Sequence, residues 1–341
     1  MKKTHQAKPR AMIQAAAETP SVGKNSPVMF SLPEPVDTSR WLTDYTELFY
    51  DEWRNHYCLP VSRKGLATIS RVNAHHGAMI YARRNMISGR FVGGGGLQLQ
   101  DMQAFCHNWI QFGDSAFLKI RNWLGQVVRL SVLPAMYLRR RRDGGFNLVD
   151  RYDSVTARYE ADDVIFIRQY DPEQQVYGLP DYLGGMQSAL LNRDATLFRR
   201  KYFINGAHMG FIFYATDPDM DDEKEKEMKE LIAQSKGVGN FRSLFVNIPN
   251  GKPDGIKIIP VGDIATKDEF ANVKGITAQD VLTAHRFPAA LAGIIPTNSG
   301  GLGDPQKYEA TYAKTEVFPI CRLIADACSA AGISLDFNLE V

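Results

Sequence analysis

The sequence has few cysteines. Cys58, Cys106, Cys321 and Cys328 are the four among 341 residues, and no two are spaced as CxxC. Such sparse usage argues against a disulfide framework and for reduced, mostly buried thiols in a cytosolic setting. No run of about 18 apolar residues occurs, so no membrane-spanning helix is expected. The opening MKKTHQAKPR is basic, but no apolar segment follows it, and no secretory signal is expected. Strong charge of one sign is missing too: the formal net charge is +2. A chain that grips nucleic acid through its phosphates is normally clearly basic. A DNA partner would therefore be guided rather than gripped.

Catalytic signatures are equally scarce. GGGG at 93–96 lacks the Lys-Ser/Thr of a phosphate-binding loop and is followed by LQLQ, so it reads as a flexible bend. Nucleotide hydrolysis would need that loop and a Mg-binding carboxylate. The one close histidine pair, His75-His76, is adjacent, and adjacent side chains diverge on a helix or a strand. There is no HExxH and no Cys/His metal spacing, so neither a metal nor another cofactor is expected. Asp162, Asp163 and Asp171 flank an apolar strand. They are the group a metal-dependent nuclease would use, and more simply they are solvated strand ends.

The composition, 44% hydrophobic and 23% charged, suits a sizeable core in two or three domains or one elaborated domain. Residues 1–40 carry Lys2, Lys3, Lys8, Arg10 and Lys24 against a single Glu18, which reads as a mobile basic arm. Trp41 to Asn85 is mostly helical in pattern, starting with TDYTELFYDEW. The block 100–170 reads as a helix followed by antiparallel strands AFLKI, VVRLSVL and DVIFIRQY. Arg139, Arg140, Arg141 and Arg142 form the most basic run, just before the turn Asp143-Gly144-Gly145. That run is either a solvated hairpin tip or a contact for nucleic acid or an acidic neighbour.

A long helix is expected next. Pro180 suits its first turn. Leu183, Met186, Leu190, Ala195, Leu197 and Phe198 recur at helical spacing, and Asn205-Gly206 stops it. About 25 residues at 1.5 Å each would reach roughly 37 Å. Arg199, Arg200 and Lys201 crowd its C-terminal end, where cations suit the helix dipole and where they would also meet DNA or a neighbour. The segment 207–262 reads as an α+β insert: strands GFIFYA, FRSLFVNI and IKIIPV around an acidic helix, DPDMDDEKEKEMKELIAQSKG. In that helix Glu225 and Lys229 form a favourable i,i+4 pair. A second helix over 266–287 begins with the capping pattern Thr266-x-x-Glu269, is weakened or kinked by Gly275, and ends at Pro288. A Pro/Gly loop, a helix over about 305–331 and the strand SLDFNLEV complete an α+β chain.

Several ordered blocks together resemble the portal proteins of tailed bacteriophages, in the PBSX/P2-like branch. They are GDSAFLKIRNWLGQVVRLSVLP, DDVIFIRQYDPEQQVYGLPDYL, QSALLNRDATLFRRKYFINGAHMGFIFY and ITAQDVLTAHRFPAALAGIIPTNSGGLGDPQKYEATY. The resemblance covers about residues 30–335. It implies the portal-protein fold, in which subunits assemble as a cyclic ring, commonly of twelve, around a DNA channel. It places a wing at 41–178, stem helices at 179–206 and 264–287, and a clip insert at 207–263. It further implies a tunnel loop at 288–304 and a wing or short crown helix with a C-terminal strand at 305–341. Thr297, Asn298, Ser299, Gly300, Gly301, Leu302 and Gly303 would face the channel. Asp221, Glu223, Glu225, Glu227 and Lys229 would form the clip's docking surface. The implied partners are double-stranded DNA, the terminase large subunit, the major capsid or scaffold protein and head-completion proteins. The implied location is the virion's portal vertex, with assembly in the host cytoplasm. A nuclease, or another ring or connector protein of the virion, are the competing readings.

Overall fold

A computed structural model describes residues 48–204, 211–215, 256–260, 266–292 and 304–340. The basic arm, the acidic helix of the insert, FRSLFVNI and the loop residues 293–303 lie outside the described residues.

The first described element corrects an expectation. The end of TDYTELFYDEW is a hairpin, not a helix: β1 (Tyr50–Asp51) pairs antiparallel with β2 (His56–Tyr57). The Asp51 carboxylate accepts the Arg54 N–H at 3.0 Å, and Asn55 takes a left-handed φ of 55°. Asp and Asn offer these local turn bonds at little cost, and here they override the helical spacing. Helices then follow as expected, with α1 (Arg63–Val72) capped by Ser62 and α2 (Ala74–Ser88) capped by Asn73. After β3 (Phe91–Gly94) comes α3 (Leu99–Phe112), which opens on a capping box between Gln98 and Asp101.

The predicted β-rich unit is present as two three-stranded antiparallel sheets. One has the order β5-β4-β9, from Val127–Leu133, Asp114–Arg121 and Val164–Arg168. The other has the order β6-β7-β8, from Leu138–Arg140, Phe146–Val149 and Val155–Tyr159. Phe117 of β4 stacks on Phe105 of α3, with ring centroids 4.1 Å apart, and both are buried. This contact joins the first sheet to the main core. A smaller core of Ala116, Leu133, Leu138, Phe146 and Val164 holds the two sheets together.

The long mid-chain helix is shorter than its sequence suggests. A 3₁₀ turn at Leu183–Gly185 precedes α4 (Met186–Ile204), whose 19 residues span roughly 28 Å. Pro180 lies outside the helix because the residues after it are tied elsewhere, as described below. Strands β10 (Phe211–Ala215) and β11 (Ile256–Pro260) pair antiparallel at the far end, as GFIFYA and IKIIPV suggest. Helix α5 (Thr266–Ala284) then returns and runs unbroken through Gly275. Ser188 donates to Asp280 at 2.9 Å, and Asn192 donates to Thr277 at 2.8 Å and to the Lys274 carbonyl at 3.1 Å. Rising numbers on α4 meet falling numbers on α5, so the two helices form an antiparallel rod.

The chain ends with α6 (Ala289–Ala292), α7 (Pro305–Tyr312), a π-helical turn (Ala313–Val317) and α8 (Phe318–Ala330). Strand β12 (Leu335–Phe337) pairs with β3. The glycine run is thus half strand and half turn. Gly94, Gly95 and Gly96 all have positive φ, and a Cβ on Gly94 would lie 2.3 Å from the Ser334 carbonyl. The run docks the C-terminal strand. Three thiols, Cys106, Cys321 and Cys328, are buried.

Tyr177-Gly178-Leu179-Pro180 has a specific physical role. Tyr177 donates its hydroxyl to the Tyr57 carbonyl at 2.8 Å and accepts the Arg140 N–H at 2.9 Å, tying β2 to β6. A Cβ on Gly178 would sit 1.9 Å from the Gly113 carbonyl oxygen, so only glycine fits. Beneath them, Arg63 pairs with the fully buried Asp114 at 2.6 Å, and Asp114 also accepts the Gly178 N–H at 3.2 Å. Gly178→Ala is therefore expected to lower stability by about 3 kcal/mol, the upper end of the overpacking range. Urea denaturation checks this, and an unchanged midpoint would contradict the close approach.

Candidate functional site

The rod of α4 and α5 grows out of a buried polar seam at its base. The Arg83 guanidinium of α2 binds Asp181 bidentately, at 2.9 and 2.7 Å. Arg286 donates to the same carboxylate through Nη2 and to Glu316 of the π-helical turn through Nε at 3.0 Å. His76 and His285 meet ring to ring, Nδ1 to Nε2, at 2.9 Å. Tyr182 stacks on His285 at 5.0 Å and donates its hydroxyl to the Gln111 carbonyl of α3 at 2.5 Å. Asn73 extends the seam along the rod by donating to the Ala189 carbonyl at 2.8 Å. Helices α2, α3 and α4, the end of α5 and the C-terminal helical run are thus tied at one place.

Local backbone chemistry explains why α5 stops there. The Arg286 N–H reaches the Thr283 carbonyl and the Phe287 N–H reaches the Leu282 carbonyl, both at 2.9 Å. This is the paired C-cap normally built on a left-handed glycine. Here Arg286 takes that position, with φ 51°. A left-handed non-glycine residue costs roughly 1–2 kcal/mol. The two carboxylates that hold its guanidinium offset that cost. The helix ends at Ala284, before the expected stop at Pro288.

The electrostatics follow from burial. Burial alone would raise the Asp181 pKa, but the hydrogen bonds and charge of Arg83, with Arg286, hold it below the usual carboxylate range. Burial drives His76 down to about 4. His285 is driven down as well, by burial first and then by His76 and Arg83. Both rings are neutral at pH 7, and one nitrogen donates across the contact while the other accepts.

Removing one partner of a buried pair costs about 3–5 kcal/mol. Asp181→Ala should lose that much, since it strands Arg83, and a loss under 1 kcal/mol in urea titrations would contradict the anchor. The histidines set a pH window. Their folded pKa values lie below the unfolded value of 6.5. The unfolded chain then binds more protons, and stability is full above pH 6.5 and falls as pH drops towards 4. Asp181 adds its own loss only at still lower pH. The thermal midpoint should fall between pH 7 and 5, and His285→Gln should flatten that slope. A wild-type midpoint flat across this range would contradict the neutral histidine pair.

The structure treats the other sequence-predicted positions unevenly. Of the arginine run, Arg139 pairs with Asp153 at 3.2 Å, and Arg140 sits over the Phe146 and Phe166 rings. Arg141 is buried between Asp143 and Glu160, at 3.0 Å from each. Arg142 is exposed and reaches Glu52 at 2.7 Å. The run is woven into the β unit rather than displayed as a solvated tip. Arg199 and Arg200 are exposed near the end of α4, and Lys201 follows on the same helix. Asp221, Glu223, Glu225, Glu227, Lys229 and 297–303 lie outside the described residues. The nuclease carboxylates are not assembled for metal chemistry. Asp162 pairs with Arg121 and Lys119, Asp163 lies near Arg121, and Asp171 accepts from Gln174. Among the described residues no group of three His, Cys, Asp or Glu could hold a metal ion, and no helix is long and apolar enough to cross a membrane.

Sequence reasoning did not find the seam. Arg83, Asp181, His285 and Arg286 are spread over 200 residues, and their pairing is not written in local spacing. A usable hint was that Asp181 and His285-Arg286 both sit inside the blocks that carry the resemblance.

Comparison with known proteins agrees with this architecture. The chain matches the family described as Phage portal protein over residues 99–340. It is 56% identical over 302 residues to the probable portal protein of Haemophilus phage HP1 (strain HP1c1), covering 87% of each chain. It is 39% identical over 311 residues to the probable portal protein of Escherichia phage P2, covering 90% of this chain and 89% of that one. Its fold resembles a chain in the neck of an empty gene transfer agent particle computed with C6 symmetry. That match has a TM-score of 0.60 and 14% identity, and covers 89% of this chain and 90% of the other. A family match over most of the chain and two long, closely related sequences lead to one conclusion: this chain belongs to the phage portal protein family, which is structural rather than enzymatic.

Proposed function

We propose that copies of this chain close into a ring of about a dozen, with the rod of α4 and α5 as the stem of its channel. As a phage portal protein it forms the head–tail DNA channel at the portal vertex of the virion. The observation that carries the stem reading is the antiparallel rod, fixed at its base by the Asp181 seam. The cyclic symmetry of the neck whose chain it resembles supports ring closure. A channel works by shape, so a net charge of +2 suits a tube through which DNA must slide.

In this reading 207–263 is the clip, where Asp221, Glu223, Glu225, Glu227 and Lys229 dock the terminase large subunit during packaging. Residues 288–304 form the tunnel loop, with Thr297 to Gly303 facing DNA. The β-rich unit and the C-terminal helices face capsid or scaffold protein, and the clip later meets head-completion proteins. Arg199, Arg200 and Lys201 lie where α4 approaches the clip. They meet DNA or the neighbouring stem there. Arg139 to Arg141, already paired within the chain, serve the wing's own fold.

Mass photometry with negative-stain microscopy tests the ring. Rings with a central hole are expected, and a population that stays monomeric when co-expressed with capsid and scaffold proteins would overturn the reading. Reversing Glu223, Glu225 and Glu227 to Lys should leave rings intact and reduce packaging several-fold, and wild-type packaging by that variant would remove the docking assignment. Deleting 298–303 should permit assembly but impair DNA passage or retention. DNA-filled heads that stay full at wild-type yield would refute the loop assignment.

A further inference from the structure

The β5-β4-β9 sheet carries an apolar knob at one end and an apolar cleft at the other. The knob is Trp123, 91% exposed, with Leu124 beside it, at the tip of the β4–β5 hairpin. This tip is built, not loose. The Asn122 carboxamide accepts the Leu124 and Gln126 N–H groups at 3.0 and 2.9 Å and donates to Gln126 Oε1 at 3.0 Å. Gly125 supplies the left-handed turn position, φ 79°. The cleft, about 340 Å³, lies between β9 and α8 and is lined by Phe166, Ile167, Arg168, Tyr170, Leu323 and Ala327. Tyr170 and Leu323 expose much of their apolar surface there.

Register separates the two features. Arg168 pairs with Asp114, the first residue of β4, whereas Trp123 lies two residues beyond Arg121, its last. At about 3.4 Å per residue the strand alone puts them roughly 24 Å apart. Trp123 therefore cannot fill its own chain's cleft. In a head-to-tail ring each copy presents one face to the next copy's different face, which is the arrangement a knob and a distant cleft require. The electrostatics match as well. Arg168 bonds the neutral Gln175 side chain at 3.0 Å and has no carboxylate within ion-pair distance among the described residues. An indole face meets a guanidinium favourably.

We infer that Trp123 of one copy seats in the Phe166–Tyr170–Leu323–Ala327 cleft of the next copy, as a subunit contact of the ring. This rests on the ring reading above. A buried tryptophan anchor is a typical interface hot spot, worth about 2 kcal/mol or more. Its removal then weakens each contact roughly 30-fold. Because the Trp123 side chain makes almost no contact within its own chain, Trp123→Ala should leave the thermal midpoint unchanged.

The test mixes Trp123→Cys protein with Ala327→Cys protein, full-length, under mild oxidation, and follows ring yield by mass photometry. The expected result is a crosslinked dimer in the mixture and in neither variant alone, together with a roughly 30-fold rise in the concentration needed for Trp123→Ala rings. Rings that form at wild-type yield with Trp123→Ala, and give no crosslink in the mixture, would overturn this contact while leaving the ring intact. Absence of rings in the wild-type protein with no crosslink would overturn both.

Discussion

The position of the α4–α5 rod depends on one partly buried carboxylate. Asp181 receives Arg83 from the second helix and Arg286 from the end of the returning stem helix. It thereby fixes where the rod leaves the body of the subunit. The constraint is stricter than apolar packing, because a guanidinium left without its carboxylate in the interior is far costlier than a slightly misplaced leucine. It also explains two departures from ordinary helix chemistry. Helix α4 starts after Pro180, since Asp181 and Tyr182 are bound elsewhere, and Arg286 holds a backbone conformation usually left to glycine.

In the ring proposed above, an error at the base of the rod would be amplified. A small rotation of the rod about the seam moves its far end by several ångströms, and in a closed ring every copy must make the same choice. A bidentate pair and a directional ring-to-ring hydrogen bond specify angle as well as contact. The Tyr177–Gly178 crossing does similar work one step earlier in the chain. It locks the β unit against the irregular segment that leads into α4, with no room for a side chain at Gly178. The seam acts by placement, with Arg83, His76 and His285 buried at the base of the rod.

Much of this was legible in the sequence, and the remainder was hidden for physical reasons. Helical spacing and turn residues identified the strands β4, β5 and β9 of the β unit, the strands β10 and β11, and the two helices of the rod. The hairpin at Tyr50–Tyr57 was misread as helix because its apolar spacing suits either form, and the outcome turned on Asp51 and Asn55. The arginine run 139–142 looked like surface because four charges in a row normally are. Asp153, Glu160 and two phenylalanine rings, distant in sequence or across a strand, drew three of them into the fold. The seam was invisible since His76 and His285 are 209 residues apart. Single-sequence spacing reports local geometry and is silent about such pairs.

The most direct test of the account is a cryo-electron microscopy map of the assembled ring. The account predicts that Met186–Ile204 and Thr266–Ala284 line a central channel wide enough for duplex DNA, with Asp181 holding Arg83 and Arg286 in every subunit. A ring whose channel is lined instead by the β5-β4-β9 sheet, with the two helices turned outward, would contradict it.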